Sequence, residues 1–238
     1  MEKIKVLELF AGSRSIGTIA DEMGYDVFSS DINPFDKIDY VTDILSFDVS
    51  VVPFVPDFIW ASPPCTFFSV ASIGHHWQRE VVGEKAIHTP KSSNAMLGVE
   101  IVEKTLSIIR HFLTLNPDLI WFIENPRGKL RKLNVMLDLP RTTIMYCKYG
   151  DIRMKPTDIW SNNLISLFNP DGFVSKTCFA GNKKCHHEEA PRGSKTGTQG
   201  LSNAYERSKL PEQLCVEIIK SVIKQKSNNN GNLKRKQN

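Results

Sequence analysis

No run of this chain is apolar for the length of a bilayer, and no segment of it repeats. A membrane-spanning helix needs about 20 consecutive apolar residues, so no membrane role is expected. Cysteine is scarce. The five cysteines are odd in number and scattered, which argues against a disulfide framework and for a reducing compartment. Charge of one sign is also scarce: a net +4 over 238 residues does not make the body a strongly basic nucleic-acid binder. Met1-Glu2-Lys3 leads directly into a strand pattern, so no signal peptide and a cytoplasmic location are expected. What remains is an ordinary globular composition, 41% hydrophobic and 24% charged, enough to bury a core in one domain, with a monomer favoured.

Short apolar runs alternate with helical patterns, which predicts an α/β fold with a mainly parallel sheet. Strands are expected at residues 4–10, 25–30, 58–61, 119–123 and 142–147, and helices at 15–23, 95–115 and 211–224. Ser13 to Ser15 supplies a cap for the first helix and Gly24 ends it. Pro211 precedes a helix in which Leu214, Ile218 and Val222 repeat at helical spacing. Periodicity is lost from 66 to 94, a stretch rich in Gly, Ser, His and basic residues, and again from 162 to 201. The expected organisation is a catalytic domain at 1–161, a reduced recognition or loop region at 162–201, a helix packing back at 202–225, and a disordered basic tail at 226–238.

Two strand tips carry reactive side chains. The apolar run Phe58-Ile59-Trp60 ends in Ala61-Ser62-Pro63-Pro64-Cys65, and Leu119 to Ile123 ends in Glu124-Asn125-Pro126. Most cysteines are buried small hydrophobes. Two preceding prolines rule out a helix and present this sulfur on a stiff extended backbone. A free thiol is only a few per cent thiolate at neutral pH and needs activation. Glu124, its pKa raised by the apolar Trp121-Phe122-Ile123, can hydrogen-bond a ring nitrogen and make a pyrimidine attackable. The chain also opens with Val6-Leu7-Glu8-Leu9-Phe10-Ala11-Gly12, a strand running into a glycine turn. In open parallel sheets ligands gather at the carboxyl ends of strands, where Gly12, Asp31, Cys65 and Glu124 all fall. Asp31 is placed to accept from a ribose diol.

These residues, in this order, resemble the cytosine-C5 DNA methyltransferase family, and most closely its short phage and viral members. The resemblance runs from Val6 to about Trp160, with an echo in the last helix. It implies a Rossmann-like fold, S-adenosylmethionine as cofactor (S-adenosylhomocysteine as product) and DNA as partner. By resemblance Leu9-Phe10-Ala11-Gly12-Ser13 is the cofactor turn, with Phe10 stacking on adenine, Asp43-Ile44 near its amine, and Ile32 and Pro63 in the same cleft. Cys65 is then the nucleophile, Glu124 the N3 acid, and Arg153 a support for the target base. Nucleic-acid contacts are expected from Ser69, Arg79, Asn125, Arg127, Lys155, Arg192 and Lys195. The chain departs from the family at the glycine turn, which continues Ser13-Arg14-Ser15, and at Pro126, where valine is common. Above all, only 162–201 is available for target recognition. RNA or a nucleotide as substrate, or a catalytically silent DNA-binding relative, therefore remain as alternatives.

Cys178, Cys185, His186 and His187 form a second cluster, with Cys178, Cys185 and His186 as the expected ligands and Cys147 as a further candidate. The Cys-x6-Cys-His spacing is wider than common zinc knuckles. A zinc ion would staple a segment too small to bury a core of its own, and free thiols in a basic loop are the alternative. Gly193-Ser194-Lys195-Thr196 lacks the earlier glycine and the strand that a nucleotide P-loop needs.

Overall fold

Residues of Lys5-Val6-Leu7-Glu8-Leu9 are buried on both sides of their strand, the signature of a sheet covered on two faces. The computed structural model describes residues 3–68, 73–82, 85–188 and 203–236. The main sheet contains β1 (Lys5–Leu9), β2 (Asp26–Asp31), β3 (Tyr40–Val41), β4 (Phe58–Ala61), β7 (Ile120–Pro126), β8 (Arg141–Met145) and β9 (Pro156–Ser161). Its order is β3-β2-β1-β4-β7-β9-β8. All pairings are parallel except those of β9, which is antiparallel to both β7 and β8. This is a Rossmann-like α/β fold with a mainly parallel sheet, as expected. From β1 the chain winds outward through β2 to β3, then returns to place β4 on the other side of β1. The point of reversal opens a crevice at the carboxyl ends of β1 and β4.

Side-chain alternation divides the core. On one face Leu7, Leu9, Ile59, Trp121 and Ile123 pack with Val102, Leu106, Ile109 and Phe112 of α3 (Ser93–Leu115). On the other, Val6, Phe58, Trp60, Ile120 and Phe122 meet Ile16, Ile19 and Ala20 of α1 (Ser15–Glu22) and Leu214, Ile218 and Val222 of α6 (Glu212–Lys236). Helix α3 starts where the Ser92 hydroxyl accepts from the Ala95 amide at 3.1 Å.

Several expectations need correction. Between β4 and α3 the described residues are not a structureless loop: they include α2 (Ile73–His76) and the antiparallel hairpin β5 (Trp77–Val82) and β6 (Lys85–Pro90). Helix α6 continues to Lys236, where composition points to a disordered tail. Lys226 reaches Asp57 at 2.8 Å, and Asn229 reaches Asp118 at 3.0 Å, anchoring that extension to the domain. The first helix has no serine cap. Arg14 holds the cap position in the left-handed region, φ 50°, and the Ser13 and Ser15 hydroxyls bond each other. The buried Glu8 carboxylate instead accepts from the Ile16 and Gly17 amides at 3.1 and 3.0 Å, putting negative charge at a helix N-terminus. The short helices α4 (Asn134–Leu137) and α5 (Ala204–Ser208) complete the set.

Candidate active site

The glycine turn after β1 holds three residues at positive φ, Phe10 (56°), Gly12 (52°) and Arg14 (50°), a conformation L-residues resist. Two ties hold it. The Gly12 amide donates to Asp31 Oδ2 at 2.9 Å, and the buried Arg14 guanidinium reaches Ser29 and Asp21 at 2.9 and 3.0 Å. Gly17 fits only because it has no side chain: a Cβ there would lie 2.6 Å from Glu8 Oε2. Burial pushes Glu8 up to about 7 against the pull of the two amides and Arg14. Asp31 ends β2 beside Ile32, whose side chain is 63% exposed. Asp43 caps a 3-10 turn by accepting from the Leu45 amide, which buries Ile44 beneath it. The expected cofactor residues thus line the carboxyl edge of β1, β2 and β3 with an acid, free backbone curvature and an exposed aliphatic face.

Cys65 and Glu124 meet at the next strands of the same edge. Ala61 pairs with Ile123, so Glu124 stands one residue beyond the end of β4. Asn125 Nδ2 donates to the Pro63 carbonyl at 2.8 Å, tying the proline loop to β7. A second tie follows, from the Lys129 amide to the Phe68 carbonyl at 2.7 Å. Gly128 allows it, since a Cβ at that position would sit 2.3 Å from the Phe68 oxygen. Cys65 is exposed in the open cleft. Desolvation by the surrounding walls and the nearby Glu124 carboxylate push its thiol up, opposed by Lys155 and Arg207. Glu124 is buried, and desolvation raises its pKa against the pull of the Lys155 ammonium and hydrogen bonds from Tyr146 and Ser62. The Tyr146 hydroxyl donates to Glu124 Oε1 at 3.1 Å.

The cation nearest this pair is Lys155. Its ammonium lies 4.5 Å over the Tyr146 ring and donates to the Arg207 carbonyl at 3.0 Å. Desolvation lowers its pKa, opposed first by Glu124. Its backbone is held at φ 28°, a conformation that costs on the order of 1–3 kcal/mol for a non-glycine residue. Lys155 therefore points towards Tyr146 and Glu124, half-buried beside Cys65. Arg153, expected beneath the target base, is buried in a bidentate pair with Asp151 and also donates to the carbonyls of Arg207 and Lys209 at 3.2 and 3.4 Å. Its guanidinium braces the wall behind Lys155. Asn125, expected to touch nucleic acid, is fully buried; its Nδ2 donates to Pro63, and its Oδ1 has no partner among the described residues. Arg127 and Arg79 are exposed, the first just past Glu124 and the second on β5. Ser69, Arg192 and Lys195 lie outside the described residues.

Of the cysteine cluster, Cys178 and Cys185 come together with Cys147, but His187, not His186, completes the group. His186 Nε2 faces the Asp151 carbonyl at 3.0 Å. The hydrogen bonding Cys and His side chains were legible in the sequence as a cluster; which of two adjacent histidines turns inward was not. Sequence reading missed Glu8, Tyr146, Gly128 and Ser62. Only Glu8 leaves a trace, as a charge inside the apolar run Val6 to Phe10.

The sheet order and the glycine turn at the switch point place the chain in the Rossmann-like α/β fold class. No family model matches it. It is 28% identical over 236 residues, 91% of this chain and 99% of the relative, to a "Probable DNA (cytosine-5)-methyltransferase" of Frog virus 3 (isolate Goorha). The resemblance to the cytosine-C5 DNA methyltransferase family, carried first by the motifs, thus runs through almost the whole chain. A solved structure of the Entamoeba histolytica methyltransferase EhMeth aligns with TM-score 0.41 and 12% identity over 68% of this chain; the aligned part spans about half of that chain, 53%.

Proposed function

We propose that this chain is an S-adenosylmethionine-dependent DNA (cytosine-5)-methyltransferase acting through a covalent Cys65 adduct. The observation that carries the reading is the clamp that holds Cys65 and Glu124 at one strand edge: Asn125 on Pro63, and Lys129 on Phe68 across Gly128. The viral relative's name supports the substrate class. Asp31, Ile32, Asp43 and the Phe10 to Ser13 turn would hold the cofactor, and a glycine turn beside an acid and an exposed aliphatic surface fits a nucleoside. S-adenosylmethionine, when bound, supplies a methyl group activated by its sulfonium charge, with cytosine C5 as the receiving atom.

The chain's own residues prepare that carbon. Burial favours the protonated form of Glu124, whose proton passes to cytosine N3 as the Cys65 thiolate bonds to C6. The two groups help each other: while Glu124 is neutral it no longer opposes thiolate formation, and Lys155 favours the anion at both positions. Addition at C6 leaves C5 electron-rich. After methylation the C5 proton leaves to solvent, N3 returns its proton to Glu124, and the Sγ–C6 bond breaks to restore the ring and the thiolate. The exposed Arg127 and Arg79 are the proposed phosphate contacts.

A duplex containing 5-fluorocytosine tests the scheme, because fluorine cannot leave as the proton does. The wild type with cofactor is expected to form a denaturation-resistant adduct, and Cys65→Ala to lose both adduct and methylation while still binding cofactor. Undiminished methylation by Cys65→Ala would sink the reading. The brevity of the 162–201 segment supports running transfer RNA and cytidine nucleotides beside duplex DNA; activity confined to either would move the substrate assignment.

A further inference from the structure

Cys147, Cys178, Cys185 and His187 each bring one ligand atom to within 4.8 Å of the others, and we propose that together they bind one structural zinc ion. Cys147 is buried in the 3-10 turn Tyr146–Tyr149 that follows β8, while the other three lie on the returning segment. A tetrahedral zinc bound at about 2.3 Å to sulfur and about 2.0 Å to nitrogen has a sulfur–nitrogen edge of roughly 3.6 Å. Cys178 Sγ and His187 Nδ1 are 3.7 Å apart. Asn182 Nδ2 donates to Cys178 Sγ at 3.3 Å, the kind of outer hydrogen bond that orients a thiolate ligand. The Cys185 amide closes the intervening turn on the Asn182 carbonyl at 2.9 Å. Three thiolates and an imidazole form a soft, complete tetrahedral set with no position left for water or substrate, which marks the site as structural.

The segment that carries these ligands buries few large apolar side chains. Leu167 and Phe168 are 97% and 99% exposed, Val174 and Phe179 are also exposed, and Phe173 is its large side chain sunk in the core. An ion joining it to Cys147 supplies the anchorage that so short a stretch cannot obtain by burial. It also fixes a wall of the cleft. The Glu188 amide donates to the Ile152 carbonyl at 2.9 Å and His186 meets the Asp151 carbonyl, so the metal would brace residues 151–155 from behind and, through them, Lys155. The proposal is independent of the methyltransferase reading and stands or falls on metal binding alone.

Full-length protein purified without chelators or immobilised metal is assayed for metal by mass spectrometry. One zinc ion per chain is expected in the wild type, in Cys65→Ser and in His186→Ala. Cys178→Ser and His187→Ala are expected to retain less than about one-tenth of it, since each removes a ligand from a four-coordinate site. Cobalt(II) exchanged into the wild type should show thiolate charge-transfer and tetrahedral ligand-field absorption, a readout that needs no variant to fold. A chelator should lower the melting temperature of the wild type and leave that of Cys178→Ser unchanged. Zinc-free wild type that takes up no cobalt, equal metal content in Cys178→Ser and wild type, or a Cys178–Cys185 disulfide under non-reducing conditions would overturn the assignment.

Discussion

Lys155 shows how much of the chemistry turns on a single side chain that no motif announces. Its ammonium is desolvated against Tyr146 and favours the charged forms of both Cys65 and Glu124. In Lys155→Met both groups should titrate at higher pH, because the charge that lowered them is gone. The pH profile of iodoacetamide alkylation at Cys65 is expected to move upward, and no movement would show that the ammonium does not sense the thiol. Cys65 and Glu124 were legible because local sequence marks them: two prolines fix the backbone before one, and an apolar run ends at the other. Tyr146 was not, and Lys155 and Arg153 were named without their surroundings, because what these side chains touch is decided by the pairing of β9 against β7 and by the carbonyls at Arg207 and Lys209. Such partners lie far away in the chain, and spacing does not reveal them.

At the scale of elements, the contact of the two catalytic loops rests on Gly128. Gly128→Ala would drive a methyl group into the Phe68 carbonyl, backbone that cannot swing aside. A destabilisation of about 1–3 kcal/mol is expected, the usual cost of overpacking, with a larger fractional loss of adduct formation than of cofactor affinity. Denaturant unfolding beside adduct yield checks both. Ile218→Ala on α6 removes a fully buried contact to the sheet and should cost about 2–5 kcal/mol without altering the ratio of adduct to folded protein. The long helices and inner strands could be read from sequence because each buries a periodic stripe. The hairpin β5–β6 could not: it pairs mostly with itself at the surface, and its residues show no clean alternation of apolar and polar side chains. Strand β9 hides its nature differently, by starting at Pro156 and carrying the buried Asp158, whose charge is met by Arg131 and Arg141.

For the molecule as a whole, the buried Glu8 adds a stability contribution that favours acid pH. Its folded pKa, about 7, lies above the ordinary 4.5, so the native state binds the proton more tightly. Its contribution is fully present below about pH 4.5 and is lost as pH rises towards 7, to the extent of roughly 3 kcal/mol. Glu8→Gln should flatten the fall in melting temperature over that window; an unchanged slope would show that Glu8 ionises normally in the fold. The direction of β9 sets a different limit. Because β9 runs against β7, the chain departs from the sheet at the border remote from Cys65, and by Lys176, which accepts from the Met145 amide, it is back beside the turn after β8. Much of the described stretch between those points is consumed by the journey. Among the described residues, that stretch leaves the proposed methyltransferase few side chains with which to spell a long word of bases. Bisulfite sequencing of duplex DNA it has modified is expected to return a context of few, loosely fixed positions, and a long strict palindrome would contradict that expectation.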